Sequence, residues 1–366
     1  MTDVYDIIVV GAGPGGSSAA RTASQLGART LLLEEHRVIG LPRHCSGRLQ
    51  GSSFTADIVH SVDSRVILAE CKGRRFYAPR GRMVLETPVP PGGGYMILRD
   101  EFDRDLARRA AEAGAEIVLN TRVTGLLREG GRLAGVETAS RSMPAVRGKV
   151  VIAAQGGQGR LAGIAGQEGL SDGRESFVAG ILMELQRVEG LEEGVLETHL
   201  IGAVDSGFAR VWTRDSHSCF VTCPSLEAFE KMRRGNHVYS RKVGNATPLQ
   251  LHGSNFGSKS GVQLPRLVKD GLLLVGDSAG YTSIVHAVVS GRFAAEVAVA
   301  AIRDGDVSEG RLRAYQQMCE RTGMHLTGLS WQSLLPLKGL SDDEIEDMLP
   351  QMLAKGDVRY VDSLPF

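Results

Sequence analysis

Apolar and polar positions first fall into a short continuous apolar run. Ile7-Ile8-Val9-Val10 follows Asp6 and stops at Gly11, the signature of a buried strand. Small residues after Gly16 predict a helix, and Thr30-Leu31-Leu32-Leu33 is the next apolar run. Residues 1–35 therefore read as a β-α-β unit. Residues 36–52 lose both rhythms and are rich in Gly, Pro and Arg around Leu41-Pro42-Arg43-His44-Cys45-Ser46-Gly47. Residues 53–98 are broken and strand-like, with turns at Lys72-Gly73, Pro79-Arg80-Gly81 and Pro90-Pro91-Gly92-Gly93-Gly94.

At Arg99 the period changes. Phe102, Leu106, Ala110 and Ala113 share one helical face, with Asp100 as the expected N-cap and Gly114 as the stop. A strand over Glu116–Leu119, a hairpin over Val123–Val136 and a strand over Lys149–Ala154 follow. Residues 165–255 alternate in short runs broken by Gly, Asp and Ser, as an antiparallel sheet requires. Asp270–Asp277 reads as a buried strand, and Ala287–Ile302 as a helix containing Gly291, Ala294, Ala295, Ala298 and Ala301. Residues 308–366 read as mostly helical. The expected class is α/β. A discontinuous nucleotide-binding domain (1–52, 96–164, 265–307) carries an inserted antiparallel-sheet domain (53–95, 165–264) and ends in a helical segment (308–366).

The chain's 366 residues suffice for two or three domains with sizeable cores. A formal net charge of +0 gives no overall attraction for nucleic acid or an anionic membrane. No apolar run is expected to reach the roughly 18 residues of a membrane span. The first strand starts so close to Met1 that no signal peptide is expected, and the five scattered cysteines suit a reducing compartment. A cytoplasmic location is the resulting expectation. Cys219 and Cys223 read as two strand thiols, and no metal site is expected.

Chemistry enters at the first turn. Gly11-Ala12-Gly13-Pro14-Gly15-Gly16 is a Gly-x-Gly-x-x-Gly sequence between a strand and a helix. Gly11 permits the tight turn, Gly13 the approach of a pyrophosphate, and Gly16 close packing of helix on strand. The helix N-terminus turns unpaired N–H groups and a positive dipole end toward phosphates. Glu34 closes the second strand, about 20 residues past the glycines, where a carboxylate accepts hydrogen bonds from a ribose diol.

Two further segments turn this dinucleotide reading toward flavin: Tyr95-Met96-Ile97-Leu98-Arg99-Asp100-Glu101-Phe102-Asp103 and Leu272-Leu273-Leu274-Val275-Gly276-Asp277-Ser278-Ala279-Gly280. With the first unit they resemble the FAD-dependent hydroxylase and reductase superfamily, which has a glutathione-reductase-like FAD domain. Within it, the chain is similar to the geranylgeranyl reductase family at Pro42-x-x-Cys45-x-Gly47, at Gln263–Leu267 and at Leu340–Ile345. The resemblance covers nearly the whole chain. It implies a Rossmann-like FAD-binding domain, an inserted antiparallel-sheet substrate domain and FAD as cofactor. Expected cofactor contacts are then Gly11, Gly13, Pro14, Gly15, Gly16, Glu34, Glu35, Arg43, Cys45, Ser46, Gly47, Arg99, Val123, Gly276, Asp277 and Gly280. Asp277 would accept from the ribityl hydroxyls, and Arg99 would reach the flavin or its phosphates.

The implied reaction is reduction of carbon–carbon double bonds in a hydrophobic isoprenoid. Cys45 is the expected proton donor, His44 a possible relay, and Arg43, His44 and Arg48 are positioned to lower the thiol pKa. A loop thiol without chemistry is the competing reading of Cys45. Trp212 and the apolar stretch Leu326, Leu329, Trp331, Leu334, Leu335 and Leu337 are expected either to line a lipid tunnel, with peripheral membrane contact, or to close the core. Two departures from the superfamily pattern stand out. Gln155 replaces an acid in Ala153–Arg160, and no Gly-Gly-rich loop follows Gly280, so that His286 enters the vacated region. These leave open a flavin electron-transfer subunit or a monooxygenase. The electron donor is open too: NADPH, ferredoxin or another carrier.

Overall fold

The computed structural model describes residues 4–156, 169–170, 177–202, 208–215, 217–258, 266–281, 283–324, 337 and 339–354. An eight-stranded sheet collects β1 (Tyr5–Val10), β2 (Thr30–Leu33), β8 (Glu116–Val118), β9 (Val123–Glu129), β10 (Arg132–Thr138), β11 (Ala145–Ala153), β17 (Val268–Lys269) and β18 (Leu272–Leu274). Its parallel centre runs β18-β11-β1-β2-β8, with Ile8 opposite both Val151 and Leu31. Both faces are covered, so these strands are apolar throughout rather than alternating. Ile7, Ile8, Val9, Leu31 and Leu32 are completely buried. The hairpin β9–β10 extends from the edge of β11.

Among the described residues, α1 (Pro14–Gln25), α3 (Arg99–Glu112) and α6 (Ile284–Arg303) pack with this sheet. On one another pack α1 and α6, so closely that a Cβ at Gly291 would lie 2.1 Å from the Gly15 carbonyl oxygen. Along α3, Phe102, Leu106 and Ala110 point inward. Its N-cap is Leu98, with no side-chain cap, rather than the expected Asp100. The Asp100 carboxylate faces arginines instead, as described below. At 20 residues and mean hydropathy 1.5, α6 is long and apolar enough to cross a membrane, contrary to the expected absence of such a run. It is a core helix here, with 78% of that stretch buried.

The seven-stranded sheet has the order β16-β12-β15-β14-β13-β5-β6, from β5 (Gly73–Tyr77), β6 (Met83–Pro88), β12 (Phe177–Gln186), β13 (Val195–Leu200), β14 (Phe208–Asp215), β15 (Ser218–Cys223) and β16 (Thr247–Ser258). It is antiparallel except between β13 and β5, which run parallel. One face carries two helices that the alternating sequence concealed, α4 (Leu226–Gly235) and α5 (His237–Val243). Ser225 caps the first by accepting from the Ala228 N–H at 3.1 Å, and Asn236 caps the second by accepting from Tyr239 at 2.9 Å. Cys219 and Cys223 are buried free thiols on this face. The opposite face holds Leu182, Leu196, Trp212 and Phe220. A small sheet of β3 (Arg48–Gln50), β7 (Gly94–Ile97) and β4 (Ile67–Glu70) lies beside it in the chain's connections.

Two C-terminal helices are described. The first, α7 (Glu309–Arg321), anchors the parallel sheet, where the Tyr315 hydroxyl donates to the Leu274 carbonyl at 2.6 Å. From α8 (Asp342–Ala354), Ile345 and Leu349 pack on Ala78, Leu200 and Phe208. Of the expected apolar stretch only Leu337 lies within the described residues, and it is buried in this cluster. The strand expected over 270–277 shortens to Leu272–Leu274. Asp270 leaves it to accept from the Glu309 N–H at 2.6 Å, and Gly276–Ala279 coils into a 3-10 turn.

Candidate cofactor crevice and cysteine loop

The glycine turn lies at the C-terminal ends of β1 and β11. Gly11 has φ +100, and a Cβ there would lie 2.6 Å from the Ala154 carbonyl oxygen. At Gly16 a Cβ would fall 1.8 Å from the Gly11 oxygen, so helix and turn touch through backbone alone. Gly13 is the N-cap of α1 and has no side-chain cap, Pro14 fills the first helical position, and the first turn carries no acid. A Cβ at Gly13 would meet no atom within 4 Å. Thus the positive end of α1 faces open space that a side chain would enter. The fit to a pyrophosphate rests on this observation. Gly15 faces the other way, onto the Ala287 carbonyl.

Glu34 is buried beside the turn. One carboxylate oxygen accepts the Ala12 N–H at 2.8 Å, and the other accepts the His36 N–H at 2.9 Å and lies 2.6 Å from His36 Nδ1. Both oxygens are thereby oriented, and each keeps a further lone pair for a ribose hydroxyl. Glu35 points outward to Arg122 at 2.8 Å. Val123, next in the chain, is buried at the start of β9. Across the crevice, Gly276 (φ +57) and Gly280 (φ +80) bracket the turn that presents a half-buried Asp277. Ser278 donates to the Gly156 carbonyl at 3.2 Å and Ser290 accepts from the Gly276 N–H at 3.0 Å. Residues from three distant segments thus border one crevice. Gln155 adjoins the glycine turn, its Cα 2.9 Å from where a Cβ on Gly11 would lie, whereas Gly157–Arg160 fall outside the described residues.

The cysteine loop is fixed at its end. Gly47 has φ +86, its carbonyl accepts from the Ile97 N–H at 2.8 Å, and a Cβ would lie 2.0 Å from the Ile97 oxygen. Ser46 is buried, and its carbonyl accepts from Trp212 Nε1 at 3.1 Å. Trp212 is therefore both a core residue, only 3% exposed, and an anchor of this loop. Cys45 is half-buried. Arg99 begins α3 and is bound by Asp103 at 3.1 Å (Nε) and 2.9 Å (Nη2). Burial opposes its charge, but Asp103 and then Cys45 outweigh this and raise its pKa. A fixed cation thus stands against the thiol.

Two of the other expected neighbours, His44 and Arg43, are engaged elsewhere. Desolvation, then the Arg99 charge, lowers the pKa of His44, whose Nδ1 donates to the Pro42 carbonyl at 3.0 Å. His44 is neutral near pH 7 and does not act as the cation expected to lower the thiol pKa. Arg43 is held between two carboxylates, with Nη1 2.9 Å from Glu184 and Nη2 3.0 Å from Asp100. Sequence reasoning missed Glu184: it lies 141 residues from Arg43, in a strand with no motif. His286 belongs to the first turn of α6. It is buried beside Tyr281, and burial drops its pKa to about 4. Beyond the loop, His36, Arg37, Val38, Leu41, Pro42, Gln250 and His252 line a cleft of about 600 Å³.

Known proteins resemble this chain in sequence and fold. Residues 6–215 match the family model for FAD dependent oxidoreductase. A digeranylgeranylglycerophospholipid reductase of Methanocella arvoryzae is 33% identical over 86% of this chain and 82% of its own length. Its counterpart in Thermoplasma acidophilum is 29% identical over 95% of this chain and 91% of its own. A solved structure, of a geranylgeranyl bacteriochlorophyll reductase-like protein from Thermoplasma acidophilum, superposes with TM-score 0.80 at 28% identity, over 95% of this chain and 91% of that one. The chain belongs to the FAD dependent oxidoreductase family, and FAD is its cofactor.

Proposed function

We propose that this enzyme reduces carbon–carbon double bonds of a geranylgeranyl-type isoprenoid. The reading rests on the half-buried Cys45 thiol beside the Arg99 cation, and it takes the Cys45 loop as the wall over the flavin. When bound and reduced, FAD supplies hydride at N5, the difficult part of the chemistry. The protein does the rest. The α1 N-terminus and Glu34 hold the dinucleotide, and Asp277 orients it from the opposite side. Cys45 donates the proton that the second alkene carbon needs, with the thiolate left beside Arg99. His44, neutral, serves as the route by which the thiol is reprotonated. Leu182, Trp212 and Phe220 form a buried apolar cluster on the sheet face behind the loop, beside the Glu184 ion pairs. The reductant is a small or protein carrier from outside, and a hydrophobic substrate brings the enzyme to the membrane surface from the cytoplasm.

The test is anaerobic incubation of chemically reduced, FAD-loaded protein with a geranylgeranyl lipid, read by mass spectrometry. Gain of two hydrogens per reduced double bond is expected; flavin reoxidation by a quinone with no mass gain would move the weight to electron transfer. Cys45→Ala is expected to keep FAD and lose about 10²–10⁴-fold in turnover per bound flavin. Turnover unchanged within a few-fold removes Cys45 from the proton path.

A further inference from the structure

The cysteine loop is held from two sides. From the nucleotide-binding side, α3 offers Asp100 to Arg43 and Arg99 to Cys45. The other side is the seven-stranded sheet. Glu184 of β12 is 3% exposed and stands on the face that carries Leu182 and Phe220. A carboxylate there is costly unless paired. One of its oxygens takes Arg43 at 2.9 Å and the other takes Arg214. Arg43 in turn lies over the Phe220 ring, 5.7 Å from its centroid. On the neighbouring strand, Trp212 Nε1 donates to the Ser46 carbonyl at 3.1 Å. The two sheet contacts bracket Cys45 along the chain, one at Arg43 and one at Ser46.

We propose that the sheet positions the Cys45 loop through Glu184 and Trp212, which are positioning residues and not cofactor ligands. The loop then follows the substrate sheet: it cannot swing from the crevice without separating a buried ion pair and an indole hydrogen bond. This rests on the reading of the loop as the wall over the flavin.

Cys45 itself reports the outcome, because Cys71, Cys219, Cys223 and Cys319 are all buried. The FAD-loaded native protein is labelled with a maleimide, and the visible band of bound FAD is recorded on the same sample. Glu184→Gln keeps the shape and removes the charge. It is expected to retain FAD, raise the Cys45 labelling rate several-fold and shift the flavin band. Glu184→Asp, which keeps the charge, returns both toward wild type. Glu230→Gln, which removes a surface partner of Arg233, changes neither. Where Glu184→Gln does not fold, Trp212→Phe decides, since it deletes the indole donor and keeps an aromatic ring. A folded, FAD-loaded Glu184→Gln or Trp212→Phe protein with unchanged labelling and an unchanged flavin band overturns the proposal. Labelling of the FAD-free protein separates failure of the tethers from failure of the cofactor reading.

Discussion

Gly13 separates what a residue does for the fold from what it does for the ligand. Its φ of -71 suits any residue, and a Cβ there meets nothing within 4 Å. Aspartate is moreover a favoured N-cap, better than glycine by about a few tenths of a kcal/mol. Gly13→Asp is therefore expected to leave the FAD-free protein as stable as wild type or slightly more so. The same carboxylate would face the pyrophosphate. Two unit charges 4 Å apart repel by about 4 kcal/mol at an effective dielectric near 20. Flavin absorbance after reconstitution should be lost while the apo melting curve holds; retained FAD would show that the phosphates lie elsewhere. Gly13 and Glu34 were legible because strand, turn, helix and acid are close in sequence. Glu184 was not, since its role depends on a partner 141 residues away.

Elements were legible where one pattern ran uninterrupted, as in β1, β2 and α3. They were hidden where two patterns overlapped: α4 and α5 are short amphipathic segments inside a strand-rich region, revealed only by the Ser225 and Asn236 caps. The contact of α1 with α6 gives a direct test. Gly291→Val would force side-chain carbons against the Gly15 backbone, where even a Cβ lies 2.1 Å away. Overpacking of this kind costs about 1–3 kcal/mol. Urea titration should show that loss, together with weaker FAD binding, because Gly15 belongs to the cofactor turn. A second test is pH. Burial lowers His199, with Glu197 only partly offsetting it, and lowers His286 to about 4, both from 6.5. Above 6.5 each ring is neutral in both folded and unfolded protein, and this stability is complete. Below it the unfolded chain takes up the proton first. Unfolding free energy should therefore fall as the solution is acidified from about pH 6.5 toward pH 5, with His286 approaching about 1.4 kcal/mol per pH unit and His199 adding a loss of the same sign. Glu197, also lowered, adds to the loss only at more acid pH. A flat profile across that window would place charged histidines in the native state.

At the scale of the molecule, the α/β class followed from the apolar runs, and the parallel pairing of β13 with β5 did not. No local pattern records which edge a distant strand joins, so residues 73–77 entered the sheet from outside its own stretch of chain. The crevice has the same distributed character: Gly11–Gly16, Glu34 and Gly276–Gly280 must all be in place to hold one ligand. FAD binds this assembled state and not the unfolded chain. At a free concentration 100 times its Kd it should add about 2.7 kcal/mol to global stability. A melting temperature that rises with added FAD is the expected result, and one independent of FAD would mean that the crevice does not bind it.

The separation of those segments has a consequence during synthesis. The first β-α-β unit emerges from the ribosome early, with its glycine turn already specified. Strand β18 and the turn carrying Asp277 emerge some 240 residues later by sequence number, on the order of tens of seconds at typical elongation rates. Through that interval the nascent chain has one bank of the crevice and lacks the other. Flavin loading is then a late event that reports completion of nearly the entire polypeptide, and a chain arrested before β18 is released colourless.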